Sequence, residues 1–263
     1  MPPATLARAI KERIRRGEPS IGAWLTMAHP SIAEIFALAG FDWVVVDTEH
    51  SAIDLSETLR LLIAIEQRNA IALVRLAGID PVQAKAVLDS GASGVIVPMV
   101  NTKAEAELAV AMTKYPPLGF RGAGLARAHD YGDRFDEYVR TANENSLLIV
   151  QIEHKNAVAN IDEILSVPGI DGTFIGPYDL SMSLGIPGQL SHPDVAAAKK
   201  KVVEATRARG LVAGIHLVDP TSAVVDSAKA LDEGYRFIAL GTDAQLLRHG
   251  ARALRGAVGQ LRS

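Results

Sequence analysis

Phe41-Asp42-Trp43-Val44-Val45-Val46-Asp47-Thr48-Glu49-His50 is an apolar run that ends abruptly in acid, hydroxyl, acid and imidazole. Continuous β-branched residues followed by polar ones are how a parallel strand reads when both faces are buried and its carboxyl end is open. In closed barrels and open sheets of parallel strands, chemistry collects at that end. The stretch therefore implies an architecture and the place of a site within it.

Similar runs recur on both sides of it. Strands are predicted at 21–26, 43–47, 71–76, 94–98, 147–152, 172–175, 211–215 and 237–240. Helical patterns lie between them at 31–39, 55–68, 81–90, 103–113, 157–165, 196–209 and 222–232, with another before the first strand (4–16) and a last one at 244–261. Gly40, Gly91, Gly169, Gly210 and Gly234 stand where a left-handed residue ends a helix before the next strand. Eight β/α units in 263 residues fit one closed (β/α)8 TIM barrel spanning 1–263, a fold of typically ~250 residues. The alternative, a doubly wound open sheet, would carry a Gly-rich dinucleotide loop after an early strand, and none is present. The longest connection, 115–146, is rich in Gly, Arg and acids and reads as a functional loop or lid.

The composition narrows the function. Apolar residues make up 48% of the chain, enough for a large core, and the net charge is −3. No basic block supports nucleic-acid or membrane-surface binding. With no cysteine, disulfides and thiolate metal sites are excluded, and a metal must take oxygen or imidazole ligands. Residues 1–20 lack the apolar core of a signal peptide, and no run reaches transmembrane length, so a soluble cytoplasmic protein is expected.

Under the barrel reading each strand end can be searched for chemistry. Glu153 and Asp179, after strands five and six, are candidate ligands for a hard divalent cation completed by water and substrate oxygens. The competing reading makes Asp179 a helix cap. His50 is a candidate base or proton shuttle; otherwise it is a buried histidine held by Asp47 or Glu49. Arg75 ends an apolar strand, where it neutralises acids or holds an anionic substrate, and Arg75→Ala is expected to cost turnover far more than stability. Gly176-Pro177-Tyr178-Asp179 looks like a strand end entering a short helix, where backbone amides take an anion, or an ordinary turn. Arg121 holds a second anion or sits in solvent. His216 ends strand seven. Lys155 begins a helix rather than lying in a strand, which disfavours a Schiff-base mechanism.

Asp47-Thr48-Glu49-His50-Ser51, Val74-Arg75, Leu88-Asp89-Ser90-Gly91-Ala92, Gly94-Val95-Ile96-Val97-Pro98, Pro116-Pro117 with Arg121-Gly122, Gln151-Ile152-Glu153 and Ile175-Gly176-Pro177-Tyr178-Asp179-Leu180-Ser181 together resemble the HpcH/HpaI family of metal-dependent (class II) pyruvate aldolases. The resemblance runs in order from about Gly22 to Asp243. It implies a divalent cation (Mg²⁺, Mn²⁺ or Co²⁺) on Glu153 and Asp179 with Gln151 close by, and no organic cofactor. It implies Arg75 at the keto oxygen, His50 in proton transfer paired with Asp89 of a neighbouring subunit, and the Gly176–Asp179 backbone at the substrate carboxylate. Asp47 and Glu49 would support these groups. It further implies keto-acid and aldehyde substrates and a homo-hexamer, a trimer of dimers exchanging C-terminal helices. Tyr178, His154 and His216 depart from the family pattern and are expected near the mouth, where they bear on substrate size and polarity. Alternatives on the same barrel are a citramalyl- or malyl-type lyase, a phosphoenolpyruvate-using enzyme, or a non-catalytic keto-acid-binding barrel.

Overall fold

A computed structural model describes residues 8–13, 16–68 and 70–260. Eight parallel strands close into a barrel in sequence order: β1 Ser20–Leu25, β2 Trp43–Asp47, β3 Ile71–Arg75, β4 Gly94–Val97, β5 Leu147–Ile152, β6 Gly172–Ile175, β7 Val212–Leu217 and β8 Phe237–Thr242. The helices are α1 Pro30–Leu38, α2 Leu55–Glu66, α3 Pro81–Asp89, α4 Lys103–Thr113, α5 Phe135–Asn145, α6 Lys155–Ala159, α7 Ile161–Ile164, α8 Pro177–Ser183, α9 Pro193–Ala208, α10 Ala223–Glu233 and α11 Asp243–Gln260. Residues 8–13 are also helical; the rest of the helix expected over 4–16 lies largely outside the described residues, as does Leu261.

Local chemistry sets these boundaries. α2 and α4 open on reciprocal capping boxes, Asp54 with Glu57 and Thr102 with Glu105. Pro30, Pro81, Pro177 and Pro193 open their helices, where the missing N–H costs nothing. The five glycines expected to end helices all have positive φ. The helix expected over 157–165 is two short ones that meet at Asn160, whose side chain donates to the Asn101 carbonyl at 2.9 Å.

Strand alternation separates two cores. One side of the strands packs on the helices, while Trp24, Trp43, Val45, Leu73, Ile96, Ile149, Phe174, Val212, Phe237 and Ala239 fill the barrel interior. Trp43 stacks on Phe237 at 4.0 Å, and it fits because Gly22 has no side chain there: a Cβ would lie 2.1 Å from the indole. The β8–β1 seam is tied by buried Asp243, which accepts the Thr26 amide at 3.0 Å, the Thr26 hydroxyl at 2.6 Å and the Met27 amide at 2.8 Å.

The connection at 115–146 is neither unstructured nor a lid over its own barrel mouth. It holds a short 3-10 segment, Arg127–Gly132, and α5. It leaves the carboxyl end of α4 and returns to the amino end of β5, both at the opposite end of the barrel from the mouth. Lys114 Nζ donates to the Asn143 and Ser146 carbonyls at 2.8 and 3.0 Å, tying its two ends together.

Candidate active site

The inward positions nearest the carboxyl ends form the top layer of the barrel: Trp24 on β1, Asp47 on β2, Arg75 on β3, Gln151 on β5 and His216 on β7. Asp47 and Arg75 are register partners, so the two side chains meet inside the barrel. Arg75 Nε donates to Asp47 Oδ1 at 2.9 Å and Nη2 to Oδ2 at 2.5 Å. Nη1 lies 3.1 Å from Glu49 Oε2, and the guanidinium sits 5.1 Å over the Trp24 ring. Arg75 and Asp47 are both buried. Burial alone would raise the Asp47 carboxyl, but the Arg75 bonds and the Glu49 and His50 amides hold it below its usual range.

Those amides donate to Asp47 Oδ1 at 3.0 and 3.2 Å, so Asp47 shapes the turn that carries His50. The imidazole itself is 59% exposed, with Nε2 3.8 Å from Glu49 Oε2. His50 is therefore a rim group, not a histidine buried between acids.

On the far side, Glu153 is buried. It accepts the Met99 amide at 2.9 Å and a bond from Gln151 Nε2. Met99 takes a left-handed φ of 55°, uncommon for a residue with a side chain, to point that amide inward. Burial, with repulsion from Glu49 and Asp179, pushes Glu153 up to about 7. Burial also pushes Glu49 up to about 7, with Asp47 and Asp179 adding to it against the Arg75 charge. Asp179 is the third residue of α8; Gly176 is the N-cap, and no described residue hydrogen-bonds the Asp179 carboxylate, so the capping alternative does not apply. Gly176 leaves the space this cluster needs: a Cβ would stand 2.6 Å from Glu153 Oε2 and 3.0 Å from Gln151 Nε2.

Four interacting carboxylates thus face one guanidinium. Among the described residues no three His, Asp or Glu side chains form a ready-made metal cluster. The donor set nevertheless suits a hard divalent ion. It is all oxygen, it carries excess negative charge, and it includes Gln151 Oε1, a buried acceptor with no partner.

The remaining candidates fall elsewhere. Arg121 is neither solvent-exposed nor in this cluster. It is buried, donates to Asp89 at 2.7 Å, and lies 4.6 Å over the Tyr115 ring. The reason is polarity: α3 runs antiparallel to β3, so its last residue, Asp89, ends at the opposite end of the barrel from Arg75. Within one chain Asp89 and His50 do not meet. His154 caps α6, its Nδ1 accepting the Asn156 amide at 3.1 Å. Lys155 is exposed at the first position of α6. Tyr178 is exposed, and with Pro177 and His216 it lines a cavity of about 740 Å³ that extends between α9 and α10. Sequence reasoning missed Trp24 and Met99. Period-two alternation from Gly22 would have placed Trp24 inward, whereas nothing in the sequence marks the φ of Met99.

A family model described as HpcH/HpaI aldolase/citrate lyase matches residues 20–250. The chain is 41% identical over 256 residues to a 4-hydroxy-2-oxo-heptane-1,7-dioate aldolase of Salmonella typhimurium, covering 97% of this chain and 95% of that one. It also resembles the crystal structure of a HpcH/HpaI aldolase/citrate lyase family protein from Burkholderia cenocepacia, with TM-score 0.90, 36% identity, and coverage of 97% and 100%. A HpcH/HpaI aldolase from Desulfitobacterium hafniense superposes with TM-score 0.87 at 32% identity, with coverage of 94% and 96%.

Proposed function

Because the chain belongs to the HpcH/HpaI aldolase/citrate lyase family and is a carbon–carbon lyase, we propose that its barrel mouth reversibly cleaves a 4-hydroxy-2-keto acid to pyruvate, or hydroxypyruvate, and an aldehyde. The observation that carries this reading is the excess of buried carboxylate around one guanidinium at the mouth. Such a site calls for a cation, and the keto-acid substrate is carried over from the named activity of the relatives.

Glu153 and Asp179 would hold a divalent cation, and the unpartnered Gln151 Oε1 is a further oxygen donor beside them. When bound, that ion supplies Lewis acidity and positive charge to oxygens of the keto acid. Arg75, oriented by Asp47 and Glu49, donates to the keto oxygen and stabilises the charge that grows there as the C3–C4 bond breaks. The turn through Gly176, Pro177 and Tyr178 seats the substrate carboxylate. His50, at the exposed rim, accepts the C4 hydroxyl proton; the C3–C4 electrons become the pyruvate enolate, and protonation at C3 completes the turnover. Asp89 of a neighbouring chain, held by Arg121, orients His50 in a homo-hexamer built as a trimer of dimers that exchange α11. The enzyme acts in the cytoplasm as a single barrel domain.

Removal of metal with EDTA should abolish cleavage, and Mg²⁺, Mn²⁺ or Co²⁺ should restore it. Full cleavage after rigorous metal removal would refute the assignment. Metal-dependent deuterium uptake at the pyruvate methyl separates this enzyme from a barrel that only binds keto acids.

A further inference from the structure

His216 sits in the top interior layer of the barrel, above Val212 and Gly214 on the same strand face. Its surroundings are aromatic: the ring stacks on Trp24 at 4.8 Å and lies 6.4 Å from Phe174. An aliphatic side chain would serve packing there without giving up solvation. The imidazole is also held in one orientation. The β8–β1 register slips here, Gly22 pairing with Ala239 but Trp24 with Thr242. Gly241, at φ 60°, lies at the slip, and its carbonyl is 3.1 Å from His216 Nε2.

A carbonyl only accepts, so Nε2 carries the hydrogen. Burial and the nearby Arg75 charge disfavour the imidazolium and push the group down to about 4. Nδ1 is then a lone pair, and no described residue donates to it. The Trp24 ring that His216 stacks on also carries the Arg75 guanidinium, which puts the imidazole in the same interior layer as the group assigned to the keto oxygen, and His216 lines the cavity shared with Tyr178.

We propose that His216 is a specificity-determining residue whose Nδ1 accepts a hydrogen bond from a hydroxyl group on the reacting keto acid or aldehyde, so that this chain favours α-hydroxylated partners over their alkyl counterparts. The inference rests on the aldolase reading above. A hydroxyl donor satisfies Nδ1, whereas a methyl group displaces water from it and leaves it unpaired.

The test compares kcat/KM within two pairs: pyruvate against hydroxypyruvate with one aldehyde, and acetaldehyde against glycolaldehyde with pyruvate. About a tenfold preference for the hydroxylated member is expected in one pair, and the pair that shows it locates the hydroxyl on the keto acid or on the aldehyde. His216→Leu and His216→Gln should abolish the preference. His216→Asn, whose carboxamide oxygen stands near the Nδ1 position, should retain it. Because the readout is a ratio within each variant, a general loss of activity cancels. The ¹⁵N resonance of Nδ1 in the wild-type protein gives a reading without turnover or mutation, and it should shift on addition of the preferred hydroxylated compound but not of its alkyl partner. No preference in either pair, a preference unchanged in His216→Leu, or an unmoved Nδ1 resonance overturns the proposal. Absence of aldol cleavage with every metal would instead overturn the aldolase reading.

Discussion

Arg75 cannot be removed without also removing the partner of a buried charge. The sequence led us to expect that Arg75→Ala would cost turnover far more than stability, but the bidentate contact with buried Asp47 changes that. The variant should lose most activity and also ~3–5 kcal/mol of stability, because an unpaired interior carboxylate remains. Urea melts beside kinetics check this, and an unchanged melt would mean that water reaches Asp47. Arg75→Lys should recover part of the stability but little turnover, since lysine keeps the charge without the planar fork. His216 gives the protein an acid sensitivity of its own. Burial lowers its pKa from 6.5 to about 4, against the Gly241 hydrogen bond and helped by the Arg75 charge. Between these values the unfolded chain binds a proton that the folded chain refuses. Its contribution is therefore complete above about 6.5 and declines as pH falls toward 4, by on the order of a few kcal/mol. Stability measured from pH 7 to 4 should fall less steeply in His216→Leu.

Two elements make the top layer possible, and each can be tested separately. The first is the entry of α8. Gly176→Ala places a methyl group 2.6 Å from Glu153 Oε2, so the carboxylate must move. Metal affinity and cleavage should drop at least tenfold, with a smaller change in melting temperature; retained affinity would remove Glu153 from the metal site. The second is the β8–β1 seam. Asp243→Ala strands the Thr26 and Met27 amides and should cost ~3 kcal/mol, read by denaturant melts. The sequence located both elements to within a residue or two, because proline and glycine mark helix ends through their own backbone restrictions. It did not disclose the β8 bulge or the φ of Met99. Those arise where neighbouring strands and side chains compel the backbone, which is non-local information.

At the scale of the whole molecule, the C-terminal helix bears on assembly. α11 exposes Leu247, Leu254 and Val258, which lie along one helix face. If that face is the exchanged contact of the proposed hexamer, Leu254→Glu should shift the mass measured by light scattering toward smaller species; an unchanged mass would remove α11 from the interface. The eight strands were legible in the sequence because each is a short apolar run with its own start and stop signals. Their order around the barrel then followed from parallel, right-handed connections. The carboxylates, Arg75 and His50 were legible as residues at strand ends, since every strand of such a barrel delivers its carboxyl end to the same mouth. The sequence by itself thus determined the fold and the end of the barrel that carries the chemistry. The tertiary structure alone decided which groups meet: Arg75 with Asp47, Glu153 with Gln151, His216 with Trp24, and Arg121 with Asp89 at the far end. Partners are set by strand register and by the antiparallel run of helix against strand, and neither is written in any single segment.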